Sequence, residues 1–150
     1  MKLAQALAER ADLQKRITQL RNRLSLNSKV QEGEKPAENP EILLKELDAL
    51  VLQLEKMIAR INITNTEVND GKNRLTELLA RRDTLELKLS IMRDFLSGAS
   101  SVVTRSTKTE IKIISTVSVT SLQKEVDKLS RELRELDNHI QELNWTTELL

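Results

Sequence analysis

A chain of 150 residues with a net charge of +1 and only 1% aromatic residues has little with which to fill a sandwich or barrel core. Charged residues make up 31%, with three Gly and two Pro, and the good helix formers Leu, Glu, Lys and Arg dominate. The absence of cysteine excludes disulfides, thiolate catalysis and cysteine-held metals.

Four stretches carry helical periodicity. The first spans about residues 2–28, where Leu3, Ala6, Arg10, Leu13, Ile17, Leu20 and Leu24 recur in alternating steps of three and four. That spacing keeps one seam turned toward a partner helix. A polar stretch holding Gly33 and Pro36 follows as a loop. Asn39-Pro40 then signals a helix start, because Asn caps free N–H groups and Pro at the first position lacks the N–H that would be orphaned. The second helix, about 40–64, carries two overlapping seams. One is Leu43, Leu47, Leu50, Leu54, Met57 and Ile61; the other replaces Leu43, Leu50 and Met57 with Leu44, Val51 and Ile58. Together they make a wide apolar face that predicts two neighbours.

Asn62, Thr64, Asn65, Thr66 and Asn69-Asp70-Gly71 are turn formers. The third helix, about 72–97, repeats the spacing through Leu75, Leu78, Arg82, Leu85, Leu89, Met92 and Leu96, and Ser97-Gly98 is expected to end it. Residues 100–119 are rich in Ser, Thr, Val and Ile, and Glu110-Ile111-Lys112-Ile113 and Val117-Ser118-Val119 alternate with period two, which predicts a short β-arm. The fourth helix, about 120–143, carries Leu122, Val126, Leu129, Leu133, Leu136, Ile140 and Leu143, with Thr120 and Gln123 as a candidate capping box. The predicted fold is all-α: a single domain, an elongated antiparallel bundle or coiled coil of four long helices, with a β-arm between the third and fourth.

Convergent catalytic chemistry is missing from the pattern. His139 is the single histidine, and Gly-rich phosphate loops and nucleophile elbows do not occur. The expectation is a protein that is not an enzyme, holds no cofactor or metal and has no small-molecule substrate. Arg10 and Arg82 occupy seam positions. A guanidinium there must snorkel to water or meet a carboxylate, so each reads as a polar insertion that sets register. Arg81, Arg82 and Asp83 form the competing candidate, an anion site. Ile111, Ile113, Val117 and Val119 of the arm, with the lone Trp145, are candidate subunit contacts, Trp145 alternatively docking the tail onto its own helices. Residues 1–29 carry seven Lys or Arg against two acidic residues. This leaves nucleic-acid binding through Lys15, Arg16, Arg21, Arg23 and Lys29 as a minor reading, since aromatics for base stacking are lacking.

Glu9, Arg10 and Asp12 interrupt the apolar run that an export signal needs, and no stretch reaches membrane-spanning length, so a cytoplasmic protein is expected. The segments MKLAQALAERADLQKRI, KVQEGEKPAENP, ARINITN, LTELLARRDTL, EIK and RELDNHIQELNWTTELL make the chain similar to the septicolysin-like family of uncharacterised bacterial proteins. That resemblance covers nearly the whole chain. It implies a helical coiled coil and an oligomer, with a hexamer as the candidate assembly, and the family name implies haemolysis. The resulting expectation is a homo-oligomeric coiled-coil scaffold, with a membrane-active cytolysin as the alternative.

Overall fold

The computed structural model describes residues 1–101 and 111–150. These form four helices: α1 (Leu3–Leu26), α2 (Pro40–Glu67), α3 (Leu75–Ser100) and α4 (Val119–Thr146). They divide into two compact units, one of residues 1–74 with 142–150 and one of 75–141.

In the first unit α1 and α2 pack as an antiparallel pair along the predicted seams. Leu13 and Leu20 of α1 are buried against Leu43 and Leu50 of α2, with Ile17, Leu24, Leu47, Leu54 and Met57 partly covered around them. The start of α2 follows its sequence signal: the Asn39 side chain accepts from the Glu41 N–H at 3.0 Å, and Pro40 is the first helical residue. The loop before it is pinned by a buried amide. Asn27 Nδ2 donates to the Arg23 carbonyl at 2.8 Å, while its Oδ1 accepts the Glu38 N–H at 2.9 Å. One side chain thus closes the end of α1 and fixes where the loop returns. Gly33 takes a φ of 85°, and the Glu34 N–H reaches the Gln31 carbonyl at 2.9 Å, which makes the turn between.

α2 runs past its expected end to Glu67, so the Asn-Thr cluster around residues 62–66 is helical rather than a turn. Thr64 and Thr66 reconcile themselves to the helix by donating their hydroxyls to the carbonyls four residues back, at 2.8 and 2.9 Å. The turn comes afterwards. Asp70 Oδ1 accepts the N–H groups of Lys72 and Asn73, and Gly71 supplies the φ of 93°.

The tail completes this unit. Lys2 and Glu148 form an antiparallel bridge, the Leu3 N–H donates to the Thr147 carbonyl at 2.9 Å, and the Leu149 N–H donates to the Met1 carbonyl at 2.8 Å. Leu149 is buried, and the two chain ends are therefore clasped side by side.

In the second unit α3 and α4 form another antiparallel pair. Leu89 and Leu96 are buried with Val126 and Leu129, and Leu85, Met92, Leu122 and Leu133 pack around them. Arg93 donates to Ser130 Oγ at 3.1 Å on the edge of this seam. α3 continues through Gly98 to Ser100 rather than stopping at Ser97-Gly98. Gly98 does not take the left-handed conformation of a helix stop, and Ser100 Oγ donates to the Leu96 carbonyl at 2.6 Å. α4 begins one residue earlier than expected, because Ser118 is the residue at its N-terminus that accepts: its Oγ takes the Ser121 N–H at 3.3 Å. Thr120 lies inside the first turn.

The β-arm is not formed in the described residues. Residues 111–118 are irregular, with no strand, and 102–110, including Glu110, lie outside the described residues. Ile111, Ile113 and Ile114 are exposed, so their alternation buries no face that could hold a strand in register. Ser115 Oγ donates to the Val117 carbonyl at 3.0 Å and turns the chain into α4. Val119, predicted as part of the arm, is the first residue of α4 and packs on the α3–α4 core.

Candidate functional site

The most conspicuous surface lies on α2. Of its two seams, the one through Leu43, Leu50 and Met57 is covered in the first unit, with Leu43 and Leu50 buried and Met57 packed against them. The other stays open: Leu44 is 50% exposed, Val51 47% and Ile58 37%. These three recur every seven residues, and Leu47 and Leu54 between them are only partly covered. A strip of this kind is one side of a helix–helix contact without its partner helix. Beside it, Glu41, Asp48 and Glu55 recur with the same spacing and are exposed. Where the strip meets α1, a shallow groove is lined by Ile17, Thr18, Arg21, Leu24 and Leu47.

A second groove of the same hairpin is lined by Glu9, Asp12, Arg16, Lys56 and Arg60 over Leu13 and Met57. Its mixed charge gives no single sign for a ligand to read. The basic residues of the first helix are divided by this geometry. Arg16 lies in the mixed groove and Arg21 in the apolar one. Arg23 is held by Glu38, with Nη2 to Oε1 at 2.6 Å, and by Glu46 at 3.6 Å. The hydrogen bonds from Arg23 hold the Glu38 carboxyl below the usual carboxylate range.

The seam arginines occupy different surroundings. Arg10 Nε is buried and finds no hydrogen-bond partner among the described residues. Arg82 is ion-paired: Nη2 lies 3.1 Å from Asp83 on its own helix and Nη1 4.0 Å from Asp137 on α4. Arg81 and Asp83 are exposed and Arg82 is half-buried between them. Ile111, Ile113 and Val117 are exposed in the irregular segment before α4, and Val119 is half-buried. Trp145 is exposed on the last turn of α4, so the tail is not held by it as one sequence reading expected.

Thr64 and Leu149 hold the tail instead. Thr64 is fully buried, and its Oγ1 accepts the Leu150 N–H at 3.0 Å while donating to the Arg60 carbonyl. Arg60 Nε donates to the Leu150 carbonyl at 2.8 Å. Glu148 adds an ion pair with Lys2 Nζ at 2.7 Å and another with the terminal amine at 3.0 Å. Hydrogen bonds from Lys2 and then from that amine hold the Glu148 carboxyl below its ordinary range. Nothing in the heptad pattern marks these anchors, since Thr64 lies among residues that read as turn formers.

Among the described residues no group of His, Asp or Glu is placed to hold a metal ion, and no helix is long and apolar enough to cross a membrane. His139 is half-buried on α4.

The chain is similar over its whole length to a crystal structure described as a functionally unknown conserved protein from Corynebacterium diphtheriae. The two share 38% identity with a TM-score of 0.91, covering 100% of this chain and 99% of that one. A comparison with curated proteins finds no match. A family model described as Family of unknown function (DUF6847) matches residues 10–149. This overturns the septicolysin-like resemblance: the segments that suggested it belong to a different family, and the hexamer and haemolysis inferred from that resemblance lose their basis. The chain belongs to the DUF6847 family of unknown function.

Proposed function

We propose that this protein is a non-enzymatic helical scaffold that associates with copies of itself and acts through its helix surfaces. The observation that carries the reading is the second seam of α2. Leu44, Val51 and Ile58 keep the heptad spacing of a packed interface, yet α1 covers only the neighbouring seam. Isolated exposed leucines are ordinary on protein surfaces, but a row at seven-residue intervals on a long straight helix is built for another helix. Coiled-coil pairing within each hairpin supplies the rigid rods, and the open seam supplies the attachment.

Sedimentation velocity over a hundredfold range of concentration tests this. The expected result is a weight-average mass above that of the 17.1 kDa chain, rising with concentration. A single monomeric species across the range would refute self-association.

A further inference from the structure

The open strip of α2 is one wall of a groove whose other wall is α1. Ile17, Thr18, Arg21 and Leu24 line that groove opposite Leu47. Above this apolar floor the two rims differ in charge. On the α2 rim Glu41, Asp48 and Glu55 recur every seven residues and are exposed. On the α1 rim the corresponding rows are Gln14 with Arg21 and Thr18 with Ser25, and they hold no acid. The acids of α1, Glu9 and Asp12, line the other groove of the hairpin. Lys45 is exposed one row further out on α2, behind the acids. Arg21, Asp48 and Glu55 form no ion pair and no side-chain hydrogen bond among the described residues. One groove therefore has an acidic rim on α2 and, on α1, an acid-free rim carrying a cation.

Resting on the self-association proposed above, we infer that two copies of this chain close groove to groove into a four-helix bundle, with α1 of each packed antiparallel on α2 of the other. Two such closures exist. A two-fold axis running across the helices would lay α2 on α2, acidic rim against acidic rim, and Arg21 against the rim that carries its own counterpart. An axis running along the helices lays each acidic rim on the rim that carries Arg21. Charge selects the second. That axis also fixes the register, because rotation about it moves nothing along the helices. A residue of α1 then meets, on α2 of the other copy, the residue level with it in its own hairpin. Leu13 and Leu20 pack with Leu50 and Leu43, and Thr18 and Arg21 share their groove with Leu47. Thr18 accordingly faces the neighbourhood of Asp48, and Arg21 falls between Glu41 and Asp48. Leu24, Leu44, Leu47, Val51 and Leu54 of both copies line the shared core. Each copy uses both of its rims, so assembly stops at two.

The chain has no cysteine, so introduced thiols are the sole thiols present. A Thr18→Cys chain mixed with an Asp48→Cys chain should form a disulfide-linked dimer of the two kinds under mild oxidation. A Gln19→Cys chain mixed with the same Asp48→Cys chain is the control and should yield severalfold less, because Gln19 lies round α1 from the groove. In sedimentation velocity the mass of the unaltered protein should level off at two chains. Arg21→Glu and Asp48→Lys should each weaken the pair by roughly tenfold or more. Mixing these two variants should restore it, since the reversed residues then face each other and the native pair remains on the other side. Circular dichroism checks that each variant keeps its helices, and the cysteine pair tests the contact with Arg21 in place. If the Thr18–Asp48 link forms no better than the control, if the charge-reversed mixture stays as weak as its parts, or if the mass climbs past two chains, this closure is wrong while self-association stands. If the unaltered protein is monomeric at every concentration, both readings fall.

Discussion

Replacing Thr64 with Val probes how the chain ends are joined. Val has nearly the shape of Thr, so the fully buried site keeps its packing and loses only the hydroxyl. That hydroxyl makes two hydrogen bonds. The one it donates to the Arg60 carbonyl duplicates a helical partner, so its loss costs little. The one it accepts, from the Leu150 N–H at 3.0 Å, holds the last residue. Without it a part-buried donor is left unpaired, which costs about 1–2 kcal/mol. For a chain of this size that corresponds to a fall in Tm of roughly 2–8 °C. The damage should concentrate at the tail, where Leu149 is buried by the same docking and the Met1 carbonyl accepts its N–H. Hydrogen exchange should therefore show the Leu149 and Leu150 amides losing protection while the α3–α4 core keeps its own. Thr64→Ser, which retains the oxygen, should recover most of the tail protection. If Thr64→Val melts like the unaltered protein and its tail amides exchange no faster, the hydroxyl does not anchor the tail and the reasoning fails.

Leu20→Ala empties a site that is 1% exposed in the α1–α2 core and should cost about 2–5 kcal/mol in urea unfolding; a loss under about 1 kcal/mol would show that the two helices do not depend on this seam. Arg10→Met removes a buried Nε without a partner among the described residues, so stability should hold or rise. A loss beyond about 2 kcal/mol would mean that the guanidinium serves the fold through its charge. The acid limb of stability should involve Glu38 and Glu148, whose folded-state pKa values are both depressed. Their contribution is fully present above the unfolded carboxylate value, roughly 4.3, and disappears as pH falls through the lower folded value. Glu148→Gln should accordingly lower Tm at pH 7 and make the decline between pH 5 and 3 shallower; an unchanged decline would assign the acid sensitivity to other groups.

The helices were legible because their information is local and repeated. Seven seam positions in each of three helices and a doubled seam in α2 leave little freedom of register, and Asn39-Pro40 marks a start by the chemistry of two adjacent residues. The misreadings fall where a local signal competes with a longer-range one. Gly98 reads as a stop because Gly is at home in the left-handed conformation, yet it also fits a right-handed helix at a cost of about 1 kcal/mol, and α3 continues through it. The Asn-Thr run at the end of α2 favours turns in isolation, but burial of Ile61 and Thr64 favours continuing the helix. The alternation at 110–119 specifies a strand only if one face is covered, and Ile111 and Ile113 are not. The Thr64 anchor joins residues 86 apart in sequence, and no periodic pattern reports such a pairing.

The open face of α2 belongs to a different class of ambiguity. Sequence gives its width, since Leu43, Leu50 and Met57 define one seam and Leu44, Val51 and Ile58 the other, with Leu47, Leu54 and Ile61 common to both. Width predicts two neighbours for the helix. It cannot say whether both come from the same chain, because a buried leucine has the same chemistry whichever molecule covers it. The described structure supplies one neighbour, α1, and leaves Leu44 and Val51 about half open. The acidic row beside that strip adds information that the leucines lack. Charge has a sign, and Glu41, Asp48 and Glu55 disfavour a like helix while favouring one edged with Lys and Arg. Apolar spacing therefore says that a helix belongs on this face, and the flanking charges narrow which helix it can be. A charge-reversal pair separates the two contributions: if Asp48→Lys with Glu55→Lys leaves assembly unchanged, the leucines alone choose the partner and the acidic row is only a solvated edge.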